Sequence, residues 1–347
     1  TSLREVTTWM MACHQKLYHL GINYSPRRST LAEANNNRSS EFFSSLYFRL
    51  YHYYFHFSPD SRLKGSIENR LFLIDSTTIS LFTEIMNGAG CRGLNGKKKG
   101  GAKAHLVVRA NEDIPLFVMI THASKNDRDI FKEVTLPPGA IAVFDKGYNH
   151  YGQFEKWSNE SVTWITRMRE DSSQEYLESL VISSDENKAG VLADDIVILG
   201  RSSNRKTKKI KVRRICYQDK EKDRTLTFIT NNLSYKASAI ASIYKRRWQI
   251  ELLFKRLKQT YPLRYFLGES ENAIKIQIWC ALICDLLLKI IKDRVKRKWS
   301  YANLSGMVRL HLMNYLDLFS FLKNPEKSLI NYKGEEIELQ LKLFNTC

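Results

Sequence analysis

The chain is poor in the features that mark secreted, zinc-binding or membrane proteins. It has six cysteines in 347 residues. They form no Cys-x-x-Cys pair and have no histidine at zinc-finger spacing, so we expect no zinc site. This pattern is typical of a protein in a reducing cytoplasm. The longest apolar stretch, residues 276–291, is interrupted by Gln277, Asp285 and Lys289. It is too short to span a bilayer, so we expect a buried helix and no membrane partner.

Acidic residues are scarce relative to basic ones. The chain has 54 Lys and Arg residues against 36 Asp and Glu, a formal net charge of +18. Such an excess predicts a polyanionic partner, nucleic acid before membrane, and binding that weakens with salt. The basic residues cluster at 97–99 and 205–214. Because the second cluster alternates with Ile210 and Val212, it favours a strand with one cationic face over a targeting signal.

The order of patterns along the chain predicts an α/β protein in four regions. Residues 1–68 are predicted to be helical, either a DNA-binding module or a packing module. Since the chain does not begin with methionine, we expect this region to be truncated. Short apolar runs predict a catalytic core over residues 69–167 that resumes at 231–262. Residues 168–230 predict an inserted antiparallel β-subdomain, and residues 263–347 a C-terminal helical region.

The window of residues 244–258 places one carboxylate among Tyr, Arg and Lys side chains at helical spacing. At about 100° per residue, Tyr244, Arg247, Glu251 and Lys258 fall within roughly 60° of each other, and the apolar residues occupy a separate arc. An acid set among cations suits a metal ligand beside a polyanion. The alternative is a surface helix on which Glu251 pairs with the lysines that follow it.

Two further acids follow buried, strand-like runs: Asp75 after residues 71–74 and Asp145 after residues 140–144. Ligands of such sheets gather where strands end, so we predict that Asp75, Asp145 and Glu251 converge. Three carboxylates repel one another unless a cation neutralises them, and Mg²⁺ or Mn²⁺ is the natural choice. Two such ions would activate a water or a 3′-hydroxyl and stabilise the leaving oxygen of a phosphodiester displacement.

With these residues the chain resembles the bacterial insertion-sequence transposases with an Asp-Asp-Glu active site. Its Tyr244, Arg247, Glu251 and Lys258 match the Tyr-x2-Arg-x3-Glu-x6-Lys motif of one group without a gap. The sequence from Asp75 to Thr78 is similar to the family's first-acid motif, and that from Asp145 to Tyr148 to its second. Lys103-Ala-His105 is similar to the Lys-x-His strand between them. The resemblance covers about residues 68–260.

The resemblance implies a ribonuclease-H-like mixed-sheet core and cut-and-paste transposition. The expected partners are double-stranded DNA, as transposon ends and target, and a second copy of the chain, which would form a homodimer on paired ends. The expected location is the bacterial cytoplasm, at the nucleoid. Two alternatives remain open, a metal-dependent nuclease that cuts without joining, and a decayed transposase that only binds DNA.

The motifs also assign roles to single residues. Asp75, Asp145 and Glu251 are expected to be catalytic and to hold the two metal ions. Tyr244, Arg247 and Lys258 are expected to grip DNA phosphates. Trp248 would stack on an unpaired base or pack at the edge of the core. Lys103 is expected to face the catalytic strand ends and to bind DNA, and His105 is expected to be packed. His122 and Asp127 are candidates to support the acids from behind.

Overall fold

The computed structural model describes residues 2–57, 67–80, 91–92, 98–99, 101–200, 209–263, 265–312 and 317–325. The chain divides into two compact units, residues 1–54 with 256–347, and residues 55–255. It combines a large mixed sheet with helices, which confirms the α/β class. The predicted domain boundaries follow a different division and stay predictions.

Helices account for most of the first unit and connect the strands of the second. In chain order they are α1 (Leu3–Ala12), α2 (His14–Leu17), α3 (Arg28–Asn37), α4 (Ser40–Phe57), α5 (Ile67–Arg70), α6 (Asp127–Phe131), α7 (Tyr151–Asn159), α8 (Ser184–Ala189), α9 (Ala237–Lys245), α10 (Trp248–Thr260), α11 (Glu271–Val295), α12 (Tyr301–His311) and α13 (Leu318–Lys323).

Capping side chains and aromatic packing stabilise the helical unit. The Ser2 hydroxyl accepts from the backbone N–H of Glu5, whose carboxylate accepts from that of Ser2, so α1 begins with a capping box. The predicted buried helix forms the centre of α11. Its Trp279 ring lies 5.7 Å from the ring of Tyr47 on α4. None of the described helices is long and apolar enough to cross a bilayer.

The second unit is built on one nine-stranded sheet. The strands are β1 (Leu71–Ser80), β2 (Cys91–Arg92), β3 (Lys98–Lys99), β4 (Gly101–Arg109), β5 (Ile114–His122), β6 (Ile141–Phe144), β7 (Thr163–Arg167), β8 (Gln174–Ser179), β9 (Val191–Leu199), β10 (Ile210–Asp219) and β11 (Arg224–Thr230). The sheet order is β5-β4-β1-β6-β7-β11-β10-β9-β8, while β2 and β3 form a separate ribbon. The β1–β6 and β6–β7 pairs are parallel, and the other neighbours in the sheet are antiparallel.

Strands β8 to β11 are antiparallel to one another, as the sequence predicted. They extend the main sheet, because Phe228–Thr230 of β11 pair with Ile165–Arg167 of β7. Whether they form a distinct subdomain stays a prediction. The predicted cationic face of this segment is wrong at Arg213, which is buried against Asp194. Residues 201–208 of that basic cluster lie outside the described residues.

A large apolar core covers one face of the sheet. Alternate residues of β1 and β6, Phe72 and Ile74, Ala142 and Phe144, belong to a cluster that includes Trp157 of α7. Because successive strand residues point to opposite faces, the residues that follow Ile74 and Phe144 point away from this core. Those residues are Asp75 and Asp145.

Two predicted elements need correction. Asp75 does not end its strand, because β4 continues to pair with β1 as far as Ser80, beyond the last partner on β6. The predicted single helix over residues 244–258 is two helices, since α9 ends at Lys245 and α10 begins at Trp248. At this junction the backbone N–H of Arg247 bonds to the carbonyl of Tyr244, an i→i+3 bond that marks a tight turn.

Candidate active site

The sheet register places Asp75 and Asp145 side by side. On the parallel strands β1 and β6, Ile74 is paired with Phe144, and the residue that follows each of them in the chain is an aspartate. The backbone N–H of Ser76 donates to Asp75 Oδ1 at 2.8 Å, which fixes that carboxylate at its strand position. The predicted convergence of these two acids is therefore built into the central strands.

The α9–α10 turn adds Arg247 and Glu251 to the two aspartates. Arg247 Nη1 donates to Asp75 Oδ2 at 3.0 Å, and Nη2 donates to Glu251 Oε1 at 2.5 Å. One guanidinium thus bridges an acid of the sheet and an acid of the helix. The alternative from the sequence paired Glu251 with the lysines that follow it. It did not include Arg247, which lies one helical turn before Glu251.

Asp145 has an arginine partner of its own. Arg167 Nη2 donates to Asp145 Oδ1 at 2.8 Å, and the buried Tyr244 hydroxyl lies 3.5 Å from the same oxygen. The sequence reasoning missed Arg167. Its signal was a charged residue at the end of a strand, but only the parallel β6–β7 register, with Val143 opposite Ile165, places it beside Asp145. Lys146, which follows Asp145 in the chain, pairs with Glu170.

The pKa values of the two aspartates are shifted in opposite directions. Burial raises the pKa of Asp75 to about 6, and the Asp145 and Glu251 carboxylates add to this effect against the opposing Ser76 N–H and Arg247. For Asp145 burial also raises the pKa, but the hydrogen bond and charge of Arg167 outweigh it, so the pKa lies below its usual value. Of these two aspartates, Asp75 is thus the less compensated by its surroundings.

The three carboxylates have the donor chemistry for a hard divalent cation. In the structure the space between Asp75 and Glu251 is taken by the Arg247 guanidinium. Within the described residues no three His, Cys, Asp or Glu side chains are close enough together to hold a metal ion. The acids therefore fit a metal by chemical type, and a shift of Arg247 is needed for two of them to share it.

The other predicted site residues lie in three different places. Trp248 is 54% exposed, with Lys222 Nζ 5.4 Å from its ring centre, so about half of this side chain is open to solvent and both of its predicted roles stay predictions. Lys258 lies about two turns beyond Glu251 on α10, in the helical unit, and burial lowers its pKa. The side chain of His122 is exposed, whereas His105 is buried, as predicted.

Lys103 does not lie on the face that carries Asp75. On β1 and β4 the pair Ser76–His105 follows the pair Asp75–Leu106, so His105 and Lys103 share the face of Ser76. Lys103 Nζ lies 2.7 Å from Asp127 Oδ1 there. Strand alternation explains the difference, since a change of one residue moves a side chain to the other face.

A cavity of about 480 Å³ lies beside Asp145. Its lining combines acids and bases, and the lining residues are Asp145, Lys146, Gly147, Arg169, Glu170 and Asp171. The carboxylate of Asp145 is therefore reachable from a space large enough for part of an extended polymer.

The sequence of the chain is similar to those of known transposases. Residues 67–287 match the family model described as "Transposase DDE domain". The chain is 32% identical over 266 residues to the transposase y4zB of Sinorhizobium fredii, covering 77% of this chain and 72% of that protein. It is 25% identical to a transposase for insertion sequence element IS5377 of Geobacillus stearothermophilus, covering 66% of this chain and 58% of that protein.

A transposase for insertion sequence element IS4SA of Synechocystis is 26% identical to the chain, over 76% of this chain and 71% of that protein. A solved structure of the piggyBac transposase synaptic complex with hairpin DNA aligns with a TM-score of 0.43 at 9% identity, over 80% of this chain and 57% of that chain.

Proposed function

The chain belongs to the transposase DDE domain family and is a DNA transposase, and we propose that it moves an insertion sequence by cut-and-paste. The predicted resemblance is confirmed for the family, while the Tyr-Arg-Glu-Lys group stays a prediction. The observation that best supports the proposal is the placement of Asp75 beside Asp145 on neighbouring strands, with Glu251 linked to Asp75 through Arg247.

Asp75, Asp145 and Glu251 are the proposed catalytic residues. DDE transposase domains are metal-dependent, and we propose that these carboxylates hold two Mg²⁺ or Mn²⁺ ions. Such ions would supply activation of the attacking water or 3′-hydroxyl and charge stabilisation at the leaving oxygen. The raised pKa of Asp75 is consistent with this role, because a buried acid near two others gains most from an added cation.

The basic side chains of the site have two proposed tasks. Without DNA, Arg247 and Arg167 neutralise the acids, each through a hydrogen bond of 3.0 Å or less. With DNA bound, the planar fork of Arg247 would turn to a phosphate near the cut end, assisted by Tyr244 and Lys258. Exposed Trp248 offers a ring on which an unpaired base can stack. Lys103 is held by Asp127, and we assign it to that ion pair instead of to DNA.

The proposal also covers the fold of the core and the oligomeric state. The order β5-β4-β1-β6-β7, an antiparallel meander followed by two strands parallel to β1, supports a ribonuclease-H-like core. We also propose a homodimer on paired ends, in which each copy of the chain cuts one end of the element. Mass measurement of the complex with end DNA should then give two chains.

A DNA assay tests the proposed reaction. The protein is incubated with Mg²⁺ or Mn²⁺, a plasmid, and DNA that carries the inverted repeats flanking its gene. We expect cuts at the ends of the repeats and joining of the cut ends to the plasmid. Asp75→Ala and Asp145→Ala should reduce both products to background while leaving DNA affinity equal or higher, because negative charge near phosphate is removed.

Other outcomes would identify a different activity. Cut fragments without joined product would indicate a nuclease, and DNA binding without cuts would indicate a decayed transposase. Normal cleavage by either alanine variant would exclude that residue from catalysis. Asp129→Ala is the matched control, since it removes an exposed carboxylate of the same unit.

A further inference from the structure

A second polar cluster lies directly behind Asp75, on the opposite face of β1. It consists of Ser76, Lys103, His105 and Asp127, which we call the rear cluster. Ser76 and His105 are register partners on β1 and β4, and Lys103 is two residues before His105 on the same strand. Asp127 begins helix α6, whose Ile130 and Phe131 are buried.

Three side chains of the rear cluster lie close to one oxygen. Asp127 Oδ1 lies 2.7 Å from Lys103 Nζ, 2.9 Å from Ser76 Oγ and 3.3 Å from His105 Nδ1. The second nitrogen of His105, Nε2, is 2.9 Å from the Thr121 hydroxyl on β5. The carboxylate therefore ties α6 to β1 and β4 at one point, and the histidine ring is contacted at both nitrogens.

The rear cluster is charged where an apolar contact would suffice for packing. Its neighbours on the same face of β1 and β4, Ile74 and Val107, are buried in the main core. Burial alone would raise the pKa of Asp127, but the hydrogen bonds from His105 and Lys103 outweigh it and lower the pKa to about 2. The side chains of Asp127 and Lys103 are 24% and 14% exposed, so both are half-buried, and the hydration that they lose must be compensated by contacts such as this ion pair.

A short path connects the rear cluster to the acid on the other face. Asp127 accepts from the hydroxyl of Ser76, and the backbone N–H of the same serine donates to Asp75 Oδ1 at 2.8 Å. The side chain and the amide of Ser76 are thus held from opposite faces of the sheet. At this position β1 pairs with β4 but no longer with β6, so only one edge of the strand is held by a neighbouring strand.

We propose that Asp127 is a positioning residue that orients the Asp75 carboxylate for metal binding by fixing Ser76 from the far side of the sheet. The proposal rests on the proposed function, which assigns Asp75 to the metal site. Partners of this kind, which hold a ligand without touching the metal, typically change metal affinity or activity by about 10- to 100-fold when removed. Lys103 and His105 keep Asp127 ionised and in place.

The test measures the binding of Mn²⁺ and the Mn²⁺ concentration that gives half-maximal cleavage of end DNA. Asp127→Ala and Ser76→Ala should each weaken both by about 10-fold or more, with DNA affinity unchanged. Ser76→Thr, which keeps the hydroxyl, should restore them. The double variant should be no worse than Asp127→Ala, because both changes cut the same path.

Separate variants serve as controls for the loss of charge and for misfolding. Asp129→Ala removes a carboxylate from the same helix without touching the rear cluster, and should leave Mn²⁺ binding unchanged. If Asp127→Ala does not fold because Lys103 loses its partner, Ser76→Ala still decides, since it changes no charge. Wild-type Mn²⁺ dependence in Ser76→Ala, or additive losses in the double variant, would overturn the proposal. Unchanged Mn²⁺ binding and cleavage in Asp75→Ala would instead overturn the proposed function.

Discussion

Two arginine–carboxylate clusters in the sheet unit use the same chemistry and differ in how complete they are. In the first, Arg213 Nε and Nη2 donate to the two oxygens of Asp194 at 2.8 and 2.6 Å. Nη1 of the same arginine donates to the backbone carbonyls of Asn232 and Tyr235. Both charged side chains are at most 7% exposed. We call this the sealed pair.

In the second cluster, three carboxylates share two arginines. Arg247 contacts Asp75 and Glu251, and Arg167 contacts Asp145. The side chains of these five residues are 15–33% exposed, and Arg247 Nε has no hydrogen-bond partner within the described part of the chain. We call this the open cluster.

The difference shows how a fold separates stability from chemistry. In the sealed pair one negative charge balances one positive charge, and each nitrogen of the guanidinium donates a hydrogen bond. Solvent or a ligand would therefore add no stabilising contact. The open cluster keeps one negative charge in excess and remains accessible, so an added cation can stabilise it. Removal of a residue from the sealed pair should therefore destabilise the fold, whereas removal of a residue from the open cluster should impair activity.

The largest expected effect on stability is in the sealed pair. Asp194→Ala leaves the Arg213 guanidinium buried without a counter-charge, and this should lower the free energy of unfolding by about 3–5 kcal/mol. Urea unfolding followed by circular dichroism measures the change. Asp171→Ala, which removes an exposed partner of Arg169, is the control and should unfold like the wild type. Equal stability of the Asp194 and Asp171 variants would remove the proposed distinction.

A smaller effect is expected from the pH response of the open cluster. The pKa of Asp75 is about 6 in the folded protein against 3.8 for a free aspartate side chain, so folding favours its protonated form. Its contribution to stability is full below about pH 4 and is lost as the pH rises through about 6, a change of about 1–3 kcal/mol. Asp75→Asn lacks this titration.

The difference in unfolding free energy between Asp75→Asn and wild type should therefore grow in favour of the variant as the pH rises from about 4 to 7. Urea unfolding at several pH values in that interval measures it, without added metal. A constant difference over the interval would show that burial does not raise the pKa of Asp75.

The smallest expected effect separates the two arginines by their binding to DNA. Arg247→Ala should reduce the slope of log affinity against log salt by about one phosphate contact. Arg213→Ala should leave the slope unchanged in the fraction that folds, because Arg213 is only 5% exposed. Fluorescence anisotropy with cut-end DNA at several salt concentrations measures both slopes. An unchanged slope in Arg247→Ala would assign that arginine to structure alone.

The sequence predicted the location of the open cluster through strand patterns. Apolar runs that end in Asp75 and Asp145 identified two buried strands, and their parallel pairing brings both acids together. It did not predict that β1 continues past Asp75, because the pairing of β4 with Ser76–Ser80 depends on a partner distant in the chain. That continuation is what places Ser76 over Asp127.

Helical spacing was a partial guide. It identified Arg247 and Glu251 as neighbours, and they form an i,i+4 ion pair. It did not predict the break between α9 and α10, where the turn directs Arg247 toward Asp75 on the sheet. Arg167 and Arg213 carry the same side chain at strand positions, and only the neighbouring strands decide that one meets the site and the other is sealed.

What the sequence alone determined was the chemical content of the molecule, namely a basic chain with acids at the ends of apolar runs and a Tyr-Arg-Glu-Lys spacing on helical segments. Local periodicity specifies such features because it depends only on near neighbours. What the tertiary structure decided was which charges are shared, sealed or left open, and on which face of the sheet Lys103 lies. Those outcomes depend on register and burial, which are set by residues far apart in the chain.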